Sequence, residues 1–133
     1  MSELFKWDPA KYCIQVPQMD GEHEIIVGHM NKVHSLYQEK AAREVIGGAL
    51  NDFVAYTKKH FADEEAYMET IDFPDRRVHC AMHRQLLARV DHFAQKFATT
   101  GTLPDELFVF LKTWLRAHIC GIDSKYAAHA RTG

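Results

Sequence analysis

Apolar residues recur along most of the chain at intervals of three and four, the spacing of one helical face. Four such stretches separate cleanly. The first runs from residue 20 to about residue 39, with His23, Val27, Met30, His34 and Tyr37 on one stripe. Asp20 is placed to cap its start. The second spans Arg43 to Thr70 and carries Ile46, Leu50, Phe53, Thr57, His60, Glu64, Met68 and Ile71. The third opens at Pro74, a residue favoured in a first helical turn. It carries His79, Met82, His83, Leu86, Val90, Phe93 and Phe97, and a turn of Thr99, Thr100, Gly101 and Thr102 ends it. Pro104 opens the fourth, with Leu107, Leu111, Trp114, Leu115, His118 and Ile122. Residues 1–18 read as an arm, because Pro9 and Pro17 interrupt any helix there. Residues 128–133 read as a free tail. Short connections make successive helices antiparallel neighbours. The pattern therefore predicts an all-α fold, an antiparallel up-down-up-down four-helix bundle over residues 20–131 behind an N-terminal arm. Residues 1–133 form one domain in this reading.

The stripes contain groups that an apolar core does not need. His60 and Glu64 sit four apart on the second, and His79 and His83 four apart on the third. Residues at that spacing project from one face, a turn apart. A glutamate buried alone in an apolar stripe costs several kcal/mol or takes up a proton; a cation offsets that cost directly. Heights along the bundle agree. His23 lies near the start of the first helix, His60 and Glu64 near the end of the second. His79 and His83 lie near the start of the third, and His118 near the end of the fourth. Alternating directions bring all of them to one end.

Asp123 fits less simply. It follows His118 by five residues, about 140° around an ideal helix. Both face inward only if the helix is distorted between them, and Gly121 stands where a bulge or a tightened turn is tolerated. An undistorted helix there removes Asp123 from the set. Five imidazoles and two carboxylates are too many donors for one ion and enough for two. Imidazole with carboxylate suits iron, zinc, manganese or copper, and the lack of a thiolate argues against structural zinc.

Composition narrows the setting. The chain has 133 residues, 26% of them charged, with a formal net charge of -2. That balance carries no footprint for nucleic acid or anionic lipid. No apolar run reaches the roughly 20 residues that span a bilayer, so no membrane insertion is expected. Cys13, Cys80 and Cys120 are odd in number and form no CxxC. They read as reduced thiols, and the expected location is cytoplasmic.

The order His23, then His60 to Glu65 (HFADEE), then His79-x3-His83, then Trp114-Leu115-x2-His118-x4-Asp123 resembles the hemerythrin signature, in particular the single-domain bacterial members. Trp7, Asp20, Asn31, Phe73-Pro74 and Tyr126 fit as well. The resemblance covers nearly the whole chain, and all seven ligand positions are filled. It implies two iron ions, one held by His79, His83 and His118 and the other by His23 and His60. Glu64, Asp123 and an oxo or hydroxo group would bridge them. Dioxygen is the implied ligand, bound reversibly at the iron with fewer histidines, for storage, transport or delivery. Nitric oxide and small anions are further candidates for that position, and an oxygen-consuming acceptor protein is an unidentified partner.

Reversible binding needs apolar walls that keep out water and protons. By position those are Ile26, Phe61, Trp114, Leu115 and Ile119, residues that otherwise simply pack the core. His34 reads as a buried, hydrogen-bonded histidine, and His29, His92 and His129 as exposed. The alternative role is a sensing domain for oxygen, nitric oxide or redox state. An enzyme is not expected. Diiron oxidases and iron-storage proteins of the ferritin-like class use Glu-x-x-His motifs, and this sequence contains none.

Overall fold

A computed structural model describes residues 5–6, 14 and 16–132. Trp7, Pro9 and Cys13 lie outside these residues, as do the side chains of Cys120 and Ile122. The helices are α1 (Pro17–Gln38), α2 (Arg43–Thr70), α3 (Arg76–Thr100) and α4 (Asp105–Ala117). A π-helical segment, His118–Asp123, then leads into α5 (Ser124–Thr132). No strand occurs among the described residues.

The ends of the helices establish the up-down-up-down order. Tyr37, at the end of α1, accepts the Leu103 N–H just before α4. Arg43, at the start of α2, donates to the carbonyls of Phe97 and Ala98 at the end of α3. Carbonyls in a last helical turn lack partners further along their own helix, and a guanidinium suits the negative end of the helix dipole. His23, His60, His79 and His118 therefore gather at the opposite end. The bundle is filled between the two ends by Met30, Leu50, Leu86, Val90 and Leu107, all buried. Burying each such side chain contributes roughly 1.5–3 kcal/mol.

Several boundaries differ from the sequence reading. Pro17 starts α1 and does not break it; its missing N–H is an orphan at a helix's first position anyway. Asp20 therefore sits inside the first turn and is not the cap. Its Oδ1 accepts the Ile14 N–H at 2.7 Å, tying the arm to the helix. The arm is also held by a reciprocal pair between the Phe5 backbone and the Asn31 side chain, at 2.9 and 2.8 Å. Pro74 lies in a turn, and the third helix begins at Arg76. Thr99 and Thr100 belong to the last turn of α3, which Gly101 ends at φ 72°. Pro104 precedes α4 as its N-cap. The tail is helical to Thr132, anchored by buried Tyr126 and Ala127 and by His129, which bonds the Ile71 carbonyl.

Two helix ends use a left-handed residue other than glycine. Lys40 (φ 57°) and Asp72 (φ 50°) follow α1 and α2. In each case the next N–H reaches back five residues, Ala41 to Leu36 and Phe73 to Met68, closing a Schellman turn.

Candidate metal centre

Four helices and one irregular segment shape a single layer of donors. α1 brings His23, α2 brings His60 and Glu64, and α3 brings His79 and His83. α4 runs into the π-helical segment, which His118 opens and Asp123 closes. The expected distortion is therefore a π-helix. Its i→i+5 turn is wider than an α-turn and returns the fifth residue to the face of the first. All seven side chains are buried, none more than 4% exposed.

The donors fall into two groups that share Glu64. One is Glu64, His79, His83 and His118; the other is His23, His60, Glu64 and Asp123, with ligand atoms in each group within 4.8 Å of one another. Both carboxylates are two-sided. Glu64 Oε1 lies 3.0 Å from His79 Nε2 and 2.8 Å from His83 Nε2, while Oε2 lies 3.2 Å from His60 Nε2 and 3.5 Å from His23 Nε2. Asp123 Oδ1 lies 2.9 Å from both His79 and His118 Nε2, and Oδ2 lies 2.8 Å from His23 Nε2. Each carboxylate thus turns one oxygen toward the three-histidine side and the other toward the remaining pair.

The chemistry of these contacts fits metal ions. The two Asp123 oxygens approach imidazole nitrogens at 2.8–2.9 Å, yet neither makes a hydrogen bond, and His23 Nε2 and His60 Nε2 also have no aligned partner. His118 Nε2 faces His79 Nε2 at 3.0 Å and His83 Nε2 at 3.2 Å. Neutral imidazole nitrogens so placed oppose lone pair to lone pair unless a proton or a cation lies between them. Electrostatics point the same way. Burial opposes charge on His23 and His79, but Asp123 and Glu64 outweigh it and raise both pKa values to about 9. Burial opposes charge on Glu64 as well, and the histidines around it hold its carboxyl well below the usual range. The layer favours ionised carboxylates with positive charge between them.

Outer partners aim the ligands. His60 Nδ1 donates to Glu22 Oε1 at 2.6 Å and His83 Nδ1 to Glu65 Oε2 at 2.9 Å, which turns each Nε2 lone pair inward. The Tyr126 hydroxyl donates to Glu64 Oε2 at 2.9 Å. Phe61 stacks on His83 with centroids 3.7 Å apart, and Trp114 on His118 at 4.3 Å. Glu22 was not singled out in the sequence. Its signal was available: Met19, Glu22, Ile26 and Val33 share one buried helical face, so Glu22 is another carboxylate in an apolar stripe.

A cavity adjoins the group containing His23 and His60. Its free volume is about 10 Å³, room for one water-sized molecule. His23, His60 and His118 form one side, and Ile26, Phe61, Trp114 and Leu115 line it as expected by position. Met30, Phe53, Leu86 and Leu111 complete the apolar wall. Ile119 is buried but lies outside this lining; as the immediate neighbour of His118 it projects from a different face. Thr57 is the polar member that is not one of the expected ligands, and its hydroxyl donates to the Phe53 carbonyl at 2.7 Å. The other histidines lie away from the layer. His34 is half-buried, edge-on to Phe108, and not fully buried as expected. His29 and His129 are half-buried rather than exposed, against Tyr56 and Phe73, whereas His92, beside Phe93, is exposed as expected. Cys80 is half-buried, and burial pushes its thiol pKa up.

Comparison with known proteins places this geometry. The family model described as the hemerythrin HHE cation binding domain matches residues 15–130. A bacteriohemerythrin of Pseudomonas aeruginosa is 32% identical over 131 residues, 98% of this chain and 84% of that protein. A myohemerythrin of Riftia pachyptila is 30% identical over 122 residues, 92% of this chain and 90% of that protein. Among solved structures, wild-type hemerythrin superposes with a TM-score of 0.87 at 26% identity, covering 96% of this chain and 98% of the other. No helix among the described residues is long and apolar enough to cross a membrane. Matched by the family's model over most of its length and by these relatives in sequence and fold, the chain belongs to the hemerythrin family.

Proposed function

We propose that this protein binds dioxygen reversibly at a diiron centre and serves oxygen storage, transport or delivery. The observation that carries the reading is the two-sided pair of carboxylates, with three histidines on one side, two on the other, and an apolar cavity against the two-histidine side. His79, His83 and His118 would hold one ion, His23 and His60 the other, and Glu64 and Asp123 would bridge them. When bound, two ferrous ions would supply the two electrons that reversible dioxygen binding needs.

The protein's own residues make that exchange reversible. Glu22 and Glu65 hold His60 and His83 in the tautomer that leaves Nε2 free to ligate. Tyr126 fixes Glu64 by donating to Oε2, so the carboxylate does not swing. The walls from Ile26, Phe61, Leu86, Leu111 and Leu115 exclude water. Thr57 commits its proton to a backbone carbonyl, which leaves the cavity lining without a free side-chain acid outside the ligand histidines. A bound oxygen molecule then meets few routes to irreversible protonation.

The test is the optical spectrum of the purified, dithionite-reduced protein before and after oxygen is admitted, with iron counted per chain. The expected result is two irons and a near-ultraviolet and visible band that appears with oxygen and disappears under argon. Immediate conversion to the ferric form would replace storage with redox sensing, and absence of iron would overturn the assignment.

A further inference from the structure

The cavity at the metal layer and an external groove on α4 have one wall in common. The groove is lined by Val109, Phe110, Thr113, Trp114 and Ala117, with Glu106 at its edge, and its free volume is about 640 Å³. Val109 is 64% exposed, and Phe110 and Trp114 are half-buried, so this face of α4 is open and apolar. Trp114 also lines the inner cavity, together with His23 and His60. Among the described residues it alone is found in both linings. The cleft over His79, lined by Phe73, Asp75, Val78, Met82 and Lys125, shares no residue with the inner cavity, nor does the cleft beside Tyr37 and Lys40 at the far end of the bundle.

We infer that the α4 groove is the entrance for oxygen and that Trp114 is the door between it and the metal layer. This inference rests on the oxygen-binding reading above. A small apolar gas partitions from water into an apolar groove, whereas ions and water gain nothing there. Trp114 lies nearly flat on His118, 13° from parallel with centroids 4.3 Å apart, and Phe61 stands 6.0 Å from it at 58°. The stack holds the door closed on average, and side-chain fluctuation of the half-buried indole opens it. Trp114 thus sets how fast oxygen crosses, and the ligands set how tightly it is held. A door leaves the equilibrium unchanged, because entry and exit pass the same barrier.

The experiment measures oxygen association and dissociation rates on the iron-loaded protein by stopped flow and flash photolysis. Trp114→Ala is expected to raise both rates, roughly tenfold; because Trp114 also stacks on His118, constancy of the equilibrium is read in a groove variant outside the inner cavity. Trp114→Phe gives a smaller rise and covers the case in which the alanine variant folds poorly. Ala117→Phe, at an exposed position in the groove and outside the inner cavity, is expected to lower both rates by a common factor, with the equilibrium constant within about twofold of the unmodified protein. Xenon quenching of indole fluorescence is read in the reduced Trp7→Phe protein, which leaves Trp114 as its one tryptophan. Compared with and without Ala117→Phe, it reports independently of oxygen whether the added ring covers the groove. A covered groove with unchanged oxygen rates would overturn the inference. A Trp114→Ala protein with an unchanged oxygen association rate would do the same, making Trp114 part of the binding site instead of its door. An unmodified protein that shows no oxygen-dependent band would sink the oxygen-binding reading itself, a result separable from either of these.

Discussion

The carboxylate behind His60 offers the sharpest test of how the centre is built. Glu22 is buried, and its Oε1 accepts from His60 Nδ1 at 2.6 Å, whereas Glu65, which holds His83, is 36% exposed. Removing Glu22 strands a buried imidazole N–H and loosens the ring that would serve the two-histidine position. Loss of such a partner weakens metal binding about 10–100-fold, or about 1.4–2.7 kcal/mol. In Glu22→Gln the acceptor remains without its charge, and a neutral hydrogen bond is about half as strong, so roughly 3–10-fold is expected. Glu65→Ala should weaken binding less than about threefold, because water can reach His83 Nδ1 from the surface. The assay is chelator competition with iron counted per chain and the oxygen-dependent band followed in parallel. The Glu22→Ala protein should release one ion early, and the band should vanish with that ion while the second stays. If Glu65→Ala proves as damaging as Glu22→Ala, or if Glu22→Ala keeps both ions at full affinity, the reasoning from burial and bond length fails.

Three further outcomes can be checked directly. Lys40 sits at φ 57° in the Schellman turn after α1; Lys40→Gly should stabilise the protein by about 0.5–1 kcal/mol, read as a thermal midpoint higher by about 2–4 °C. Tyr126→Phe removes a buried hydrogen bond to the Glu64 carboxylate and should cost about 1.5–3 kcal/mol in urea unfolding of the metal-loaded protein. The third concerns pH after metal removal. His23 and His79 are raised from 6.5 to about 9 by Asp123 and Glu64. Stability from these pairs is fully present below about pH 6.5 and is lost as pH rises through about 9. The stripped protein should therefore lose thermal stability between pH 7 and 10. The metal-loaded protein, whose histidines would then be bound to ions, should change far less, and metal loading near pH 7 should release protons. A stripped protein that grows more stable over this interval would contradict the pairing.

The bundle was legible because its signal is repetitive. A stripe such as Ile46, Leu50, Phe53, Thr57 and His60 repeats the helical period over many turns, and alternation of direction then fixes which ends meet. The boundaries were less legible because they depend on single residues. Pro17 both terminates one kind of structure and starts another, and only the chain before it decides which. Lys40 and Asp72 occupy left-handed positions without being glycine, so neither carries punctuation. Glu22 was hidden for a different reason: its role depends on a hydrogen bond to His60, 38 residues away on another helix. The helical order of residues 128–132, which read as a free tail, was likewise hidden without Phe73 and Ile71, the partners that His129 meets across the bundle end.

The seam between His118 and Asp123 shows how local irregularity serves the layer. An α-helix continued from α4 would carry Asp123 about 140° away from His118, leaving Glu64 as the sole carboxylate between the two histidine groups. The π-helical turn brings Asp123 back, with Oδ1 at 2.9 Å from His118 and Oδ2 at 2.8 Å from His23 on α1. The same turn starts α5 where Tyr126 can donate to Glu64. One break in helical regularity therefore supplies a second two-sided carboxylate and the hydroxyl that steadies the first. A π-turn has weaker intrinsic support than an α-turn, so its persistence here must come from what it positions. Buried carboxylates opposed by imidazoles are costly unless a cation lies among them. Metal binding and the π-helical segment should accordingly stabilise each other, and removing the metal should increase hydrogen exchange at residues 118–123 more than in the middle of α2. Equal exchange in the two regions, before and after metal removal, would show that the turn is held by packing alone.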